Sequence, residues 1–179
     1  MGKTINVAAK HGLVIGLVQI LITLLLYLLG TEVMAKFWVS ILVFIVTLVL
    51  LIISTLRWRR ERGGIAIFKD AFVFIFFNFL TLTLISTVFN ILLYNLIDPG
   101  LPLELKESVI DSTMGVMESF GAPEDAVDQA IADLDKEFAG KFSVSSLSLQ
   151  YLYSLIFGAF ISLILGAILK KKPDSIEEA

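Results

Sequence analysis

The sequence predicts an all-α polytopic membrane protein: four transmembrane helices with an amphipathic helical hairpin between spans three and four, in a single membrane domain over 1–179. Three observations predict it. The chain is 57% hydrophobic with a mean hydropathy of +0.88, above the roughly 45–50% apolar content of soluble domains. Four runs supply the ~20 mostly apolar residues that a helix needs to cross the hydrocarbon core. Between the last two runs lies an acidic stretch whose apolar residues recur at helical spacing.

The first run, "GLVIGLVQILITLLLYLLG" (12–30), is uncharged throughout. Lys3 and Lys10 before it resemble the start of a signal peptide. The run exceeds the usual ~7–15-residue apolar core, however, and "GTEVMAK" is a poor cleavage site, so an uncleaved span is expected. "FWVSILVFIVTLVLLIISTL" (37–56) follows the short link "TEVMAK". The third span covers 71–97 and the fourth 147–169.

Orientation follows from lysine and arginine in the loops. With four crossings, Lys3, Lys10, Arg57, Arg59, Arg60, Arg62, Lys69, Lys170, Lys171 and Lys172 fall on one side, ten of the fourteen basic residues. That predicts that both termini are cytoplasmic. The opposite segment, 98–142, carries eleven acids against three lysines, a net charge of −8. Within it, Leu105, Val109, Ile110, Met114, Met117 and Phe120 share one helical face. Gly121 is a stop signal, and Pro123, Glu124 and Asp125 suit a first helical turn. Val127, Ala130, Ile131, Leu134 and Phe138 line the second face. The hairpin is expected over about 103–138, its helices at 103–120 and 123–138. It is expected to dock a partner through Met114, Met117, Phe120, Val127, Ile131 and Leu134. The turn "LIDPGLP" (96–102) is expected to break span three away from it, since proline and glycine oppose further helix.

Small residues recur every fourth position in two spans: Ser154, Gly158, Ser162 and Gly166 in the fourth, and Ala8, Gly12 and Gly16 in the first. Such spacing lets another backbone approach closely. Gly16 and Gly166 lie at similar depth in antiparallel spans, so contact between spans one and four is expected, or a homodimer through one of these faces. Span three holds Asn78, Thr81, Thr83, Ser86, Thr87, Asn90 and Asn95. Thr83, Ser86, Thr87 and Asn90 fall within an arc of roughly 100°. Such groups bond neighbouring helices, at about 0.6 kcal/mol each, more often than they line a solute path.

Chemistry is sparse. Without cysteine there is no disulfide, thiolate metal site or cysteine nucleophile, and the single histidine, His11, excludes a multi-histidine site within one chain. No charge lies mid-span, as a coupled carrier would need. Glu104, Glu107, Asp111, Asp125, Asp128 and Asp135 read as the solvated face of amphipathic helices. No phosphate loop, nucleophile elbow or metal motif appears, so neither enzyme activity nor a cofactor is expected.

The link "RWRRERGG" (57–64) sets four arginines beside a tryptophan. Arg57, Trp58, Arg59, Arg60 and Arg62 are expected at anionic lipid headgroups, with Trp58 in the interfacial belt. A patch this short on an acidic chain excludes nucleic acid. Positive charge needs no glycine, so Gly63–Gly64 point to a tight turn setting a short lead-in, Ile65 to Phe68, against the cytoplasmic face.

"RGGIAIFKDAF", "YNLIDPGL" and "SFGAPEDAVDQAIADL" resemble a bacterial family of small four-span membrane proteins catalogued only as a domain of unknown function. The likeness runs from Lys10 to Lys171 and is most specific at Gly63–Gly64, Phe68, Ala71–Phe72 and the Asp98–Pro99 turn; Ile67 departs from the family's more polar pattern. It implies a helical inner-membrane protein of a didermal bacterium, and no activity. The leading expectation is a non-enzymatic accessory or scaffold subunit of a membrane complex, with a protein partner or as a homo-oligomer. The alternative is a small oligomeric carrier or lipid-handling protein with a polar path beside Thr83, Ser86, Thr87 and Asn90.

Overall fold

In hydrocarbon a backbone N–H or C=O finds no water, so apolar runs of this length settle as helices. The computed structural model describes residues 2–171; Lys172 lies outside them. The described residues form α1 (Gly2–Leu29), α2 (Thr31–Met34), α3 (Phe37–Glu61), α4 (Phe68–Leu92), α5 (Leu101–Ser119), α6 (Glu124–Phe138) and α7 (Val144–Leu169), with a π-helical turn at Leu93–Ile97 continuing α4. No strand occurs among them. Four helices, α1, α3, α4 with its π turn, and α7, are long and apolar enough to cross a membrane.

Hydropathy marks the uncharged stretch; the helix itself runs on until something stops it. α1 begins at Gly2, because nothing before Gly30 breaks it, and Gly30 ends it at φ 95°. Its 28 residues span about 42 Å, more than the ~30 Å hydrocarbon core. Lys3 and Lys10 therefore ride on its first turns, and His11 lies within the helix. Leu13, Leu17, Leu21 and Leu25 form an exposed i, i+4 row suited to lipid.

The chain divides into two compact units. The described residues of the first come from Met1–Gln19, Ile45–Ser86 and Tyr151–Ala179. Its hub is α4, whose Ala71, Phe74, Ile75 and Asn78 are fully enclosed. The small-residue faces seat on this hub. A Cβ on Gly12 would stand 2.5 Å from the Asn78 carbonyl oxygen, and one on Gly16 3.0 Å from Ile85. On the other helix, a Cβ on Gly158 would meet Phe79 Cε1 at 2.5 Å, and one on Gly166 the Phe72 backbone nitrogen at 3.3 Å. The expected pairing of spans one and four through these glycines is thus corrected: both seams close on span three. Shared depth is legible from sequence, but which helix stands between two others is not. Ser162, enclosed, bonds back to the Gly158 carbonyl at 2.6 Å, and Ser154 to Tyr151 at 2.7 Å, so both act as small residues.

The second unit comprises Ile20–Phe44 and Thr87–Gln150. The π turn closes with the Asp98 N–H on the Leu93 carbonyl at 2.8 Å. Asp98 Oδ1 accepts the Gly100 and Leu101 N–H groups, both at 3.1 Å, and Oδ2 accepts the Tyr27 hydroxyl at 3.0 Å. Pro102 was expected among the helix breakers, yet it lies in the first turn of α5, where its missing N–H would be unpaired anyway. α5 ends in a Schellman motif: Gly121 at φ 70° donates to Glu118 at 2.9 Å and Ala122 to Met117 at 3.0 Å. α5 and α6 pack together, tied by Lys106–Asp135 at 2.8 Å. Val127 is buried and Met114, Met117, Ile131 and Leu134 are half-buried. With α5 packed on both α2 and α6, five of the six expected docking residues are therefore covered in part. Phe120, 84% exposed, is not.

Candidate functional site

The arginine link lies in the first unit, where its residues divide by helix face. Trp58 follows Leu51, Ser54 and Thr55 on the inner face of α3 and is 3% exposed. Its indole stacks on Phe74, centroids 4.4 Å apart and planes 13° from parallel, and the Arg62 guanidinium covers the ring at 4.9 Å. This corrects the expected interfacial belt: Trp58 is a core residue. A tally of loop charges carries no information about helix face. Arg59 donates to the Leu169 carbonyl at 2.9 Å, capping the end of α7. Arg62 bonds the Thr4 hydroxyl at 3.3 Å and pairs with Asp70 at 3.1 Å. Arg57 and Arg60 stay exposed; Arg57 pairs with Glu61, one turn on, at 3.4 Å.

The predicted glycine turn is a second Schellman motif. Gly63, φ 74°, donates to Arg60 at 3.1 Å, and Gly64, φ 82°, to Arg59 at 3.0 Å. The lead-in after it does not simply rest on the membrane face. Ala66 and Lys171 exchange two backbone hydrogen bonds, 2.9 and 2.8 Å, an isolated antiparallel bridge.

Sequence reasoning missed the polar cluster at the centre of this unit. His11 Nδ1 lies 2.9 Å from Ser54 Oγ, and Asn78 Nδ2 donates to the same oxygen at 2.8 Å. Three helices thus converge on one hydroxyl. Asn78 is fully enclosed and its Oδ1 has no partner. The His11 ring meets Phe74 edge-on, 5.5 Å between centroids. His11 and Ser54 also line a cleft of about 480 Å³ with Lys10, Val14, Ile15, Leu50, Ile53, Arg57 and Glu61. One signal was available: His11, Ser54 and Asn78 lie toward the same ends of consecutive antiparallel spans. Their common depth needed the full helix lengths, since α1 starts at Gly2 and α3 runs to Glu61, and their convergence needed the helix rotations.

Hydroxyls along the spans are mostly spent locally. Thr55 bonds to Leu51, Thr81 to Phe77 and Thr83 to Phe79, each a backbone carbonyl one turn back, at 2.7–2.8 Å. Ser86 Oγ is buried and unpaired.

In the second unit, Glu32, Lys36, Glu104, Glu107 and Asp111 line a groove of about 520 Å³ beside the Ser108–Thr31 hydroxyl pair, 2.9 Å apart. Among the described residues no three acids or histidines are placed to hold a metal ion.

Comparison with known proteins finds no matching curated protein and no matching solved structure. A family model described as "Protein of unknown function (DUF4199)" matches residues 10–171. Four membrane-capable helices and the intervening hairpin all lie within or across that stretch, and the chain belongs to the DUF4199 family.

Proposed function

We propose that this multi-pass membrane protein is non-enzymatic and works by binding, as an accessory or scaffold subunit of a membrane complex. The observation that carries the reading is the hairpin. It closes its own apolar faces with a cross-helix ion pair yet leaves Phe120, at the α5 end, 84% exposed on a segment of net charge −8. An exposed aromatic on an acidic segment suits a partner with a basic surface and an apolar socket, because charge complementarity steers encounter and an aromatic anchor supplies affinity. A second copy of this chain is the poorer match, since two hairpins of like charge repel. What favours this over an oligomeric carrier is that Thr83, on the expected path, bonds its own helix and offers little to a passing solute.

We further place the protein in a bacterial inner membrane, with both termini cytoplasmic and the hairpin periplasmic. The support for the sidedness is the distribution of its basic residues. A photo-crosslinking residue at position 120, and one at the exposed Lys136 as control, tests the docking. A single crosslinked membrane protein from position 120 alone, lost when Glu118 and Glu124 become lysine, is the expected outcome. A protein recovered monomeric and uncrosslinked across several mild detergents overturns it.

A further inference from the structure

The cleft in the first unit has two ends of different chemistry. Val14, Ile15, Leu50 and Ile53 form an apolar wall, and Val14 and Ile53 are more than half exposed, so that wall is open to acyl chains. Lys10, His11, Ser54, Arg57 and Glu61 form the other end. Two cations stand there against one carboxylate, which already pairs with Arg57.

Hydrogen bonds behind the cleft hold the imidazole in place. Ser54 Oγ accepts from Asn78 Nδ2 and pairs with His11 Nδ1. With the serine hydroxyl donating to Nδ1, neutral His11 carries its proton on the other ring nitrogen, Nε2. Such a donor, lining the cleft with a lysine and an arginine, suits an anionic oxygen. A phosphate accepts from a guanidinium, an ammonium and an imidazole together. The adjoining apolar wall requires that this phosphate carry acyl chains.

We propose that this cleft is a binding site for an anionic phospholipid, its phosphate held by Lys10, His11 Nε2 and Arg57 and its chains along Val14 and Ile53. Asn78 and Ser54 are positioning residues that hold the imidazole ring. The site differs from diffuse attraction between a basic loop and a charged bilayer. Arg60, as exposed as Arg57 and one turn of charge away, does not line it.

The test is native mass spectrometry of the detergent-solubilised protein titrated with dioleoyl-phosphatidylglycerol. The expected result is one retained lipid, bound about tenfold more weakly by Arg57→Gln, in keeping with loss of one charge-assisted bond, and unchanged by Arg60→Gln. Arg57 is a surface residue, so its variant tests binding without disturbing the core. His11→Leu should lose the lipid, while His11→Gln, whose amide nitrogen reaches the Nε2 position, should retain most of it. Equal losses for Arg57→Gln and Arg60→Gln overturn the site in favour of diffuse electrostatics. Equal retention of dioleoyl-phosphatidylcholine overturns its anion selectivity, and displacement by millimolar inorganic phosphate overturns the lipid as its occupant.

Discussion

Two glycines in helix interiors show how the surroundings of one residue decide its effect. Gly12 sits where any Cβ would press on the Asn78 carbonyl at 2.5 Å and on Thr81 Cβ at 2.7 Å, backbone and branch point that have no room to yield. Gly115 in α5 has nothing within 4 Å of where its Cβ would be. Alanine at both should therefore act with opposite sign. Gly12→Ala is expected to cost about 1–3 kcal/mol by overpacking, and Gly115→Ala to add up to about 1 kcal/mol of helix propensity. Unfolding of each variant in mixed micelles, followed by far-UV circular dichroism, checks both. Equal effects would mean that Gly12 is not a packing seam. The pattern of fours around Gly12 was legible in the sequence; its partner on span three was not, because spacing reports a face without its neighbour. Trp58 shows the same limit. Its identity and loop context suggest an interface, while its stacking on Phe74 depends on the rotation of α3.

Helix ends were more legible than helix faces, because caps are local. Gly63 and Gly121, read from the sequence as a turn and a stop, both take the left-handed conformation in Schellman motifs. Pro102 was misread for a physical reason: proline opposes helix only where an N–H is needed, and the first turn needs none. Asp98 is the junction most exposed to test, since one carboxylate serves two elements. Its Oδ1 takes two N–H groups at the start of α5 while Oδ2 takes the Tyr27 hydroxyl. Asp98→Ala should cost about 1–2 kcal/mol, the range for losing a cap. Asp98→Asn keeps an oxygen for both amides and should retain most of that, and Tyr27→Phe should remove only the smaller share. Amide hydrogen exchange at the first turn of α5 distinguishes them. Protection lost in Asp98→Ala but kept in Tyr27→Phe is the expected pattern; equal loss in both would assign the stability to the tyrosine bond.

At the scale of the molecule, the number of crossings and the side on which each loop lies are separate statements with separate physics. Crossings follow from helix length and hydropathy, and four helices satisfy both. Sidedness rests on the basic residues and on the acids of 98–142, which the described helices leave unchanged. The chain's lack of cysteine makes the distinction measurable, because any thiol introduced is the only one present. Arg60 and Ser119 are both exposed, and one crossing, α4 with its π turn, separates them in the chain. Arg60→Cys and Ser119→Cys should therefore react with a membrane-impermeant maleimide from opposite sides. In intact cells stripped of any outer barrier, Ser119→Cys should label and Arg60→Cys should label only after the membrane is opened. The reverse pattern would leave the four crossings intact and invert the sidedness, moving the acidic hairpin and its exposed Phe120 to the cytoplasm. Labelling of both from one side would remove α4 as a crossing. That would be harder to reconcile with a helix whose enclosed Phe74 and Asn78 meet α1 and α3 and whose Phe72 and Phe79 meet α7.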